Sequence, residues 1–295
     1  MKQSSIFAVI AVTLLAPSIA YSRVPGQFKP ESTSAPDLIF PLKPEKFNRQ
    51  DLGNRIFLPT TIQNGNKVPA MILLPTCVGH IRSQENQLKM WTKYFVDNGY
   101  LVLVVDHLTP RRSGNICSNA AREREPAKLG RLVKDLYDAV EHLTKIPEVE
   151  KTRIFSLGFS LGGMTGGLAA SQSVYEEVAN GRFRPRAVGS AYGGCQYVIT
   201  NFLPADASIP VLWLMGTEDT EAPPSDCQAS LKAIKERIPE SQHHLYEKAT
   251  HGWDNKDSHG FSKVAGNGNR VTYYYDEGTT KDSMKRALEF FNSFK

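Results

Sequence analysis

A chain of 295 residues, 41% hydrophobic and 22% charged, is long enough to close a substantial apolar core and too evenly mixed to be a disordered or low-complexity segment. Its 35 basic and 30 acidic residues give a net charge of +5, and the charges are scattered along the chain, which argues against a nucleic-acid footprint. No apolar run after the first twenty residues approaches the length of a membrane span.

The elements follow in chain order. Lys2, the apolar run 6–15 and the small residues Ser18-Ile19-Ala20 have the pattern of an export signal, with cleavage expected after Ala20. Residues 21–46, rich in Pro and Ser, read as an extended lead-in, and the folded domain is expected over 47–295. A strand and turn are expected over 55–64, a buried strand over 68–74, and a helix over 84–98 with Leu88, Trp91, Phe95 and Val96 at helical spacing. The continuous apolar run 100–106 suits a strand buried on both faces of a parallel sheet. An amphipathic helix over 125–143 follows, then a strand over 154–157, a glycine-rich turn and a helix of small residues. Further strands are expected at 187–192, 210–215 and 243–247, with helices at 225–238 and 281–294. The alternation predicts an α/β fold with a mostly parallel central sheet and helices on both faces. In such sheets sites gather outside the carboxyl ends of the strands.

Gly158-Phe159-Ser160-Leu161-Gly162 has the G-x-S-x-G pattern of a strand–turn–helix elbow, which holds a serine hydroxyl clear of the sheet. A serine nucleophile needs a base, and the base needs an orienting acid. In hydrolases with this elbow the chain order is Ser, acid, His. Asp219 follows the 210–215 strand, and His251 follows the next one, so Ser160, Asp219 and His251 fit that order. Glu218 and Glu221 are the rival acids. Backbone N–H groups of Leu161 and Cys77 are the candidate oxyanion donors, with Val78 as alternative to Cys77. Arg111 and Trp253 are the candidate substrate contacts; Arg111 and Arg112 suit either bidentate binding of a substrate carboxylate or a structural salt bridge that braces their loop. The polar stretch 254–281, with Tyr273-Tyr274-Tyr275, reads as a solvated loop or flap carrying one aromatic anchor.

Cys77, Cys117, Cys195 and Cys227 form no C-x-x-C pair and do not suit zinc. Four cysteines in an exported chain suggest two disulfides, with three connectivities open.

Leu74-Pro75-Thr76-Cys77-Val78-Gly79, Asp106-His107-Leu108-Thr109-Pro110-Arg111, the Ser160 elbow, Gly216-Thr217-Glu218-Asp219 with Pro223 and Cys227, His251-Gly252-Trp253-Asp254-Asn255, and Tyr275-Asp276 together resemble the dienelactone hydrolase family of the α/β-hydrolase fold. These pieces span about residues 50–295. The resemblance implies Ser160, Asp219 and His251 as the triad, Leu161 and Cys77 as oxyanion donors, and neither metal nor organic cofactor. The fold it implies sets Cys77 beside Cys117 and Cys195 beside Cys227 as disulfides. Dienelactone-cleaving members carry a cysteine nucleophile and a glutamate near the oxyanion loop; this chain has Ser160 and Thr76-Cys77-Val78. The expected activity is hydrolysis of a small-molecule ester, lactone or related acyl substrate. A peptidase or acyltransferase on the same triad is the alternative, and a non-catalytic binding protein on the same fold is the reading from another class.

Overall fold

The computed structural model describes residues 36–48, 51–59, 62, 65–118, 128–179, 181–197 and 200–294. The expected export signal and the first part of the lead-in lie outside the described residues. The strands are β1 (Glu45–Lys46), β2 (Arg55–Leu58), β3 (Val68–Leu74), β4 (Leu101–Val104), β5 (Val149–Phe159), β6 (Ala187–Ala191), β7 (Gln196–Tyr197), β8 (Thr200–Asn201), β9 (Val211–Gly216), β10 (Gln242–Tyr246), β11 (Ser262–Val264) and β12 (Arg270–Thr272). The α-helices are α1 (Arg82–Asp97), α2 (Leu129–Leu143), α3 (Leu161–Ala170), α4 (Gln172–Ala179), α5 (Gln228–Arg237) and α6 (Glu277–Asn292).

Eight strands form one sheet in the order β1-β2-β4-β3-β5-β6-β9-β10, with β7/β8 and β11/β12 as separate hairpins. Among the described residues, only the β2–β4 pairing in this sheet is antiparallel. The mostly parallel sheet expected from the sequence is therefore present. Strands β3, β5, β6, β9 and β10 run the same way, so residues that follow them collect along one edge.

Alternation along the strands explains why their sequences read as continuous apolar runs. Met71 and Leu73 of β3, with Val102 and Val104 of β4, face a core completed by Leu88, Trp91 and Phe95 of α1 and Phe290 and Phe291 of α6. Ala70, Ile72 and Leu74, with Leu101 and Leu103, face the opposite core, completed by Val133, Leu136 and Val140 of α2 and Leu168 of α3. Both faces of β3 and β4 are buried, so no polar position interrupts the pattern in these two strands.

The 68–74 strand lies where its composition put it. The strand before the elbow is longer than expected because its first half, Glu150 to Arg153, is charged and partly exposed and hides the pattern. The last helix starts earlier, at Glu277, because the Asp276 side chain caps it, accepting from Thr279 N at 2.5 Å. The short strands β1, β7, β8, β11 and β12 and helix α4 were not expected; each has too few residues for a period to show. Within the 254–281 stretch, β11 and β12 pair antiparallel, Lys263 opposite Val271.

The disulfides are Cys77–Cys117 and Cys195–Cys227, each with 4.9 Å between Cα atoms. The first ties the loop after β3 to the segment after β4, alongside an Ile116 N–H bond to Cys77 O at 2.8 Å.

Arg111 takes the structural role of the two open to it, not the substrate contact. Its buried guanidinium donates to both carboxylate oxygens of Asp135 in α2, at 2.6 and 2.8 Å, and to His107 O at 3.1 Å. His107 Nδ1 lies 2.9 Å from the same carboxylate, and Arg131 Nε lies 3.3 Å away. Arg111 thus braces the loop after β4 against α2 and is not among the residues lining the cleft described below. The reason is burial: a guanidinium out of water takes the nearest fully buried carboxylate. Arg112, at φ 52°, is exposed.

Burial opposes ionisation of Asp135, but hydrogen bonds from Arg111 and His107 outweigh it and hold the carboxyl below its usual range. Its stabilising contribution is therefore present above the unfolded-state pKa and disappears as the pH falls through the folded-state value. Asp135→Asn should destabilise the protein by about 3–5 kcal/mol in urea unfolding near neutral pH, because it strands buried cations. The variant should also lose part of the wild-type acid dependence of stability; an unchanged slope would contradict this assignment.

Candidate active site

The elbow is built by close backbone approach. A Cβ on Gly158 would lie 2.1 Å from the Gly162 carbonyl group, and one on Gly162 would lie 2.2 Å from Leu74 O of β3. Neither position has room for a side chain. Between them Ser160 sits at φ 50°, ψ −113°, a conformation costly for a residue with a Cβ. Its N–H bonds to Ala191 O of β6 at 3.0 Å, and its side chain makes no capping bond to α3. The hydroxyl is left facing outward from the carboxyl edge of β5.

His251 meets it there. Ser160 Oγ lies 2.9 Å from His251 Nε2, and His251 Nδ1 lies 2.8 Å from Asp219 Oδ2. Nδ1–H donating to the carboxylate leaves Nε2 as acceptor for the serine hydroxyl. The other Asp219 oxygen accepts from the backbone N–H groups of Glu221 and Ala222, at 2.9 and 2.8 Å, so the acid is fixed by its own loop. All three side chains are buried. Burial pushes the His251 pKa down, but the charges of Asp219 and Glu221 outweigh it, and the net direction is up.

Of the rival acids, Glu218 is not the histidine's partner here, and Glu221 approaches the other ring nitrogen, with Oε2 3.9 Å from Nε2. Cys77, Ser160 and Leu161 line one common cleft. The Leu161 N–H opens α3 and so has no intrahelical acceptor. Val78 lines the adjoining lobe, also with Ser160. The two lobes have volumes of about 450 and 460 Å³ and share Cys77, Cys117, Ser160 and Glu221. One is lined by Leu161, Met164, Phe202 and Pro223, the other by Val78, Ile81, Phe261 and Tyr273.

Trp253, expected as a substrate contact, is fully buried below the histidine loop. Its ring packs edge-on against Tyr192 at 4.9 Å and tilted against Tyr246 at 5.4 Å. A large apolar ring two residues past His251 is drawn under the loop, into the core, rather than into the cleft.

Tyr192 and Gln87 at this site were not singled out from sequence. Tyr192, at φ 44°, packs edge-on beneath His251 with 4.9 Å between ring centres. Its hydroxyl donates to Asp254 at 2.8 Å and accepts from Gln87. Asp254 also accepts from Trp91 Nε1 at 2.7 Å and Gln87 at 3.0 Å; burial nevertheless pushes its carboxyl pKa up. These contacts join α1, β6 and the histidine loop, and the one sequence signal for them is Trp253-Asp254 close behind His251. Tyr273 is the aromatic anchor of the 254–281 stretch: its ring lies 5.7 Å from the His251 ring, and its hydroxyl donates to Glu221. Among the described residues, no group of three or more His, Cys, Asp or Glu is placed to hold a metal ion.

The sheet order, the elbow and the serine–histidine–aspartate line at its carboxyl edge define an α/β hydrolase. The family model for the dienelactone hydrolase family matches residues 56–295, and the chain belongs to that family, a class of carboxylic ester hydrolases. No curated protein sequence matches the chain. Among solved structures, it is similar to a Klebsiella pneumoniae protein assigned as a dienelactone hydrolase, with 16% identity, TM-score 0.59, and coverage of 80% of this chain and 91% of that one. Thermogutta terrifontis esterase 2, phosphorylated by paraoxon, gives 14% identity and TM-score 0.58 over 81% and 87% of the two chains. MGS-M1, an α/β hydrolase from a Medee basin deep-sea metagenome, gives 18% and 0.54 over 80% and 89%. At these identities the likeness is one of fold.

Gly162→Ala should destabilise the protein by roughly 1–3 kcal/mol or more, since its Cβ meets the β3 backbone. Gly166→Ala, on the same helix with no contact closer than 3.8 Å, should be neutral or stabilising by up to about 1 kcal/mol. Thermal unfolding of the two variants compares them; equal behaviour would contradict the elbow packing.

Proposed function

We propose that the protein hydrolyses a carboxylic ester or lactone through a Ser160–His251–Asp219 triad and a covalent acyl-enzyme. The observation that carries this reading is the unbroken hydrogen-bond line from Asp219 through His251 to Ser160, 2.8 and 2.9 Å long, beside a cleft. The esterase among the similar structures supports the same reaction class.

In this mechanism Ser160 Oγ attacks the substrate carbonyl as its proton passes to His251 Nε2. Asp219 holds the ring in the Nδ1–H tautomer and stabilises the imidazolium that forms. The Leu161 N–H, with that of Cys77, takes the oxyanion. His251 then gives its proton to the leaving oxygen, which departs as an alcohol. Water loses a proton to His251, attacks the acyl-enzyme, and releases the acid; the proton returns to Ser160. The two lobes suit the two sides of an ester, with Ser160 on the divide. The Cys77–Cys117 bridge steadies the loop that offers the second donor.

The two disulfides, with the amino-terminal pattern at Lys2, 6–15 and Ala20, support an exported protein. Among the described residues, no helix is long and apolar enough to cross a membrane. The mature chain isolated from an exporting host should begin at Tyr21 and carry no free thiol; intact mass before and after alkylation reads both.

Ser160→Ala should keep its circular dichroism spectrum while kcat on a 4-nitrophenyl ester drops by roughly 10⁴-fold or more. A fluorophosphonate probe should label the wild type at Ser160 and leave the variant unlabelled. Full activity in the variant overturns the mechanism.

A further inference from the structure

Glu221 stands where none of the roles above accounts for it. Its carboxylate Oε2 lies 3.9 Å from His251 Nε2, the nitrogen that also meets Ser160 Oγ. Asp219 occupies the other nitrogen, so the ring has a carboxylate at each end. Glu221 is held from two sides of the β11/β12 hairpin: Lys263 Nζ donates to Oε1 at 2.8 Å, and the Tyr273 hydroxyl donates to Oε2 at 2.5 Å. Its own N–H bonds to Asp219 Oδ1, so one loop sets both acids. Glu221 also lines both lobes of the cleft beside Ser160.

We infer that Glu221 is a positioning residue for the hydrolytic reaction, which stabilises the His251 imidazolium from its reactive edge and selects uncharged or cationic esters over carboxylate-bearing ones. This rests on the triad reading above. When Ser160 attacks, its proton moves to Nε2 and the ring gains a positive charge. A carboxylate 3.9 Å away favours that charge through space without taking the proton. The proton continues to the leaving oxygen, and Glu221 remains ionised throughout. Burial pushes its carboxyl pKa up, but His251, Lys263 and the two hydrogen bonds outweigh this and hold it below the usual range. The groups facing His251 are Asp219, Glu221, the opposing Lys263 ammonium, and the rings of Tyr192 and Tyr273. Among the described lining residues of the two lobes, Glu221, Asp226 and Asp257 are acidic and Lys263 is basic. A carboxylate on the substrate near Ser160 would meet that field at short range, and a neutral isostere would not.

The signs separate this role from a purely structural one. Removing the Glu221 charge lowers the His251 pKa, so in Glu221→Gln the acid limb of the kcat/KM profile should move to lower pH. The kcat on a neutral ester should fall roughly ten-fold. Removing the Lys263 charge raises the His251 pKa, so in Lys263→Met the acid limb should move to higher pH. If Glu221 only anchored the hairpin, both variants would loosen the same contact and shift the limb alike or not at all. Substrate choice is read with 4-nitrophenyl butyrate against 4-nitrophenyl hemisuccinate: the wild type should prefer the butyrate in kcat/KM, and Glu221→Gln should narrow that preference. Unmoved limbs with an unchanged preference overturn the inference. Should Ser160→Ala remain active, the triad reading itself fails; should it be inactive while Glu221→Gln matches wild type, only the role of Glu221 fails.

Discussion

The backbone of α3 lies against the end of β3 with no side chain between them. Gly162 touches the Leu74 carbonyl, Gly158 touches Gly162, and Gly163 reaches Ser190 of β6. That contact makes the rest possible. It forces the turn that puts Ser160 at φ 50° and frees its hydroxyl from its own helix. It also brings the start of α3 beside the loop after β3, where Cys77 and the Leu161 N–H share one cleft. Packing without side chains is costly in backbone entropy, and the apolar cores on both faces of the sheet supply the compensation.

Two buried polar clusters differ in how their groups are held. In the cluster of Asp135 with Arg111, His107 and Arg131, both carboxylate oxygens are held by guanidinium, and the contacts tie the β4 loop to α2. His251 lies in the other cluster, with a carboxylate near each nitrogen, and lines the cleft beside Ser160. Beneath it, Tyr192, Trp253 and the buried Asp254 keep the histidine loop from shifting.

The legible parts of the sequence were those governed by local rules. Buried strands such as Val68–Leu74 announce themselves as apolar runs, and G-x-S-x-G announces a close approach that only glycine allows. The order Ser160, Asp219, His251 followed from which residues succeed strands. The disulfide partners followed once neighbouring strands were assigned to a known fold, not from cysteine spacing. Trp253 misled, and Arg111 stayed undecided between two roles, because a charged or aromatic residue near a site looks the same in sequence whether it points into the cleft or into the core.

The chain by itself determined the strand–helix alternation, the elbow and the three side chains brought together at one sheet edge, because each depends on residues adjacent in sequence or on chain direction. Tertiary structure alone decided what surrounds them. Lys263 and Tyr273 reach Glu221 across more than forty residues of chain, and the register of the β11/β12 hairpin places them there. Asp135 captures Arg111 only because α2 crosses behind the β4 loop. Such pairings are settled by burial and register in three dimensions, where a charge takes whichever partner folding leaves within reach and out of water.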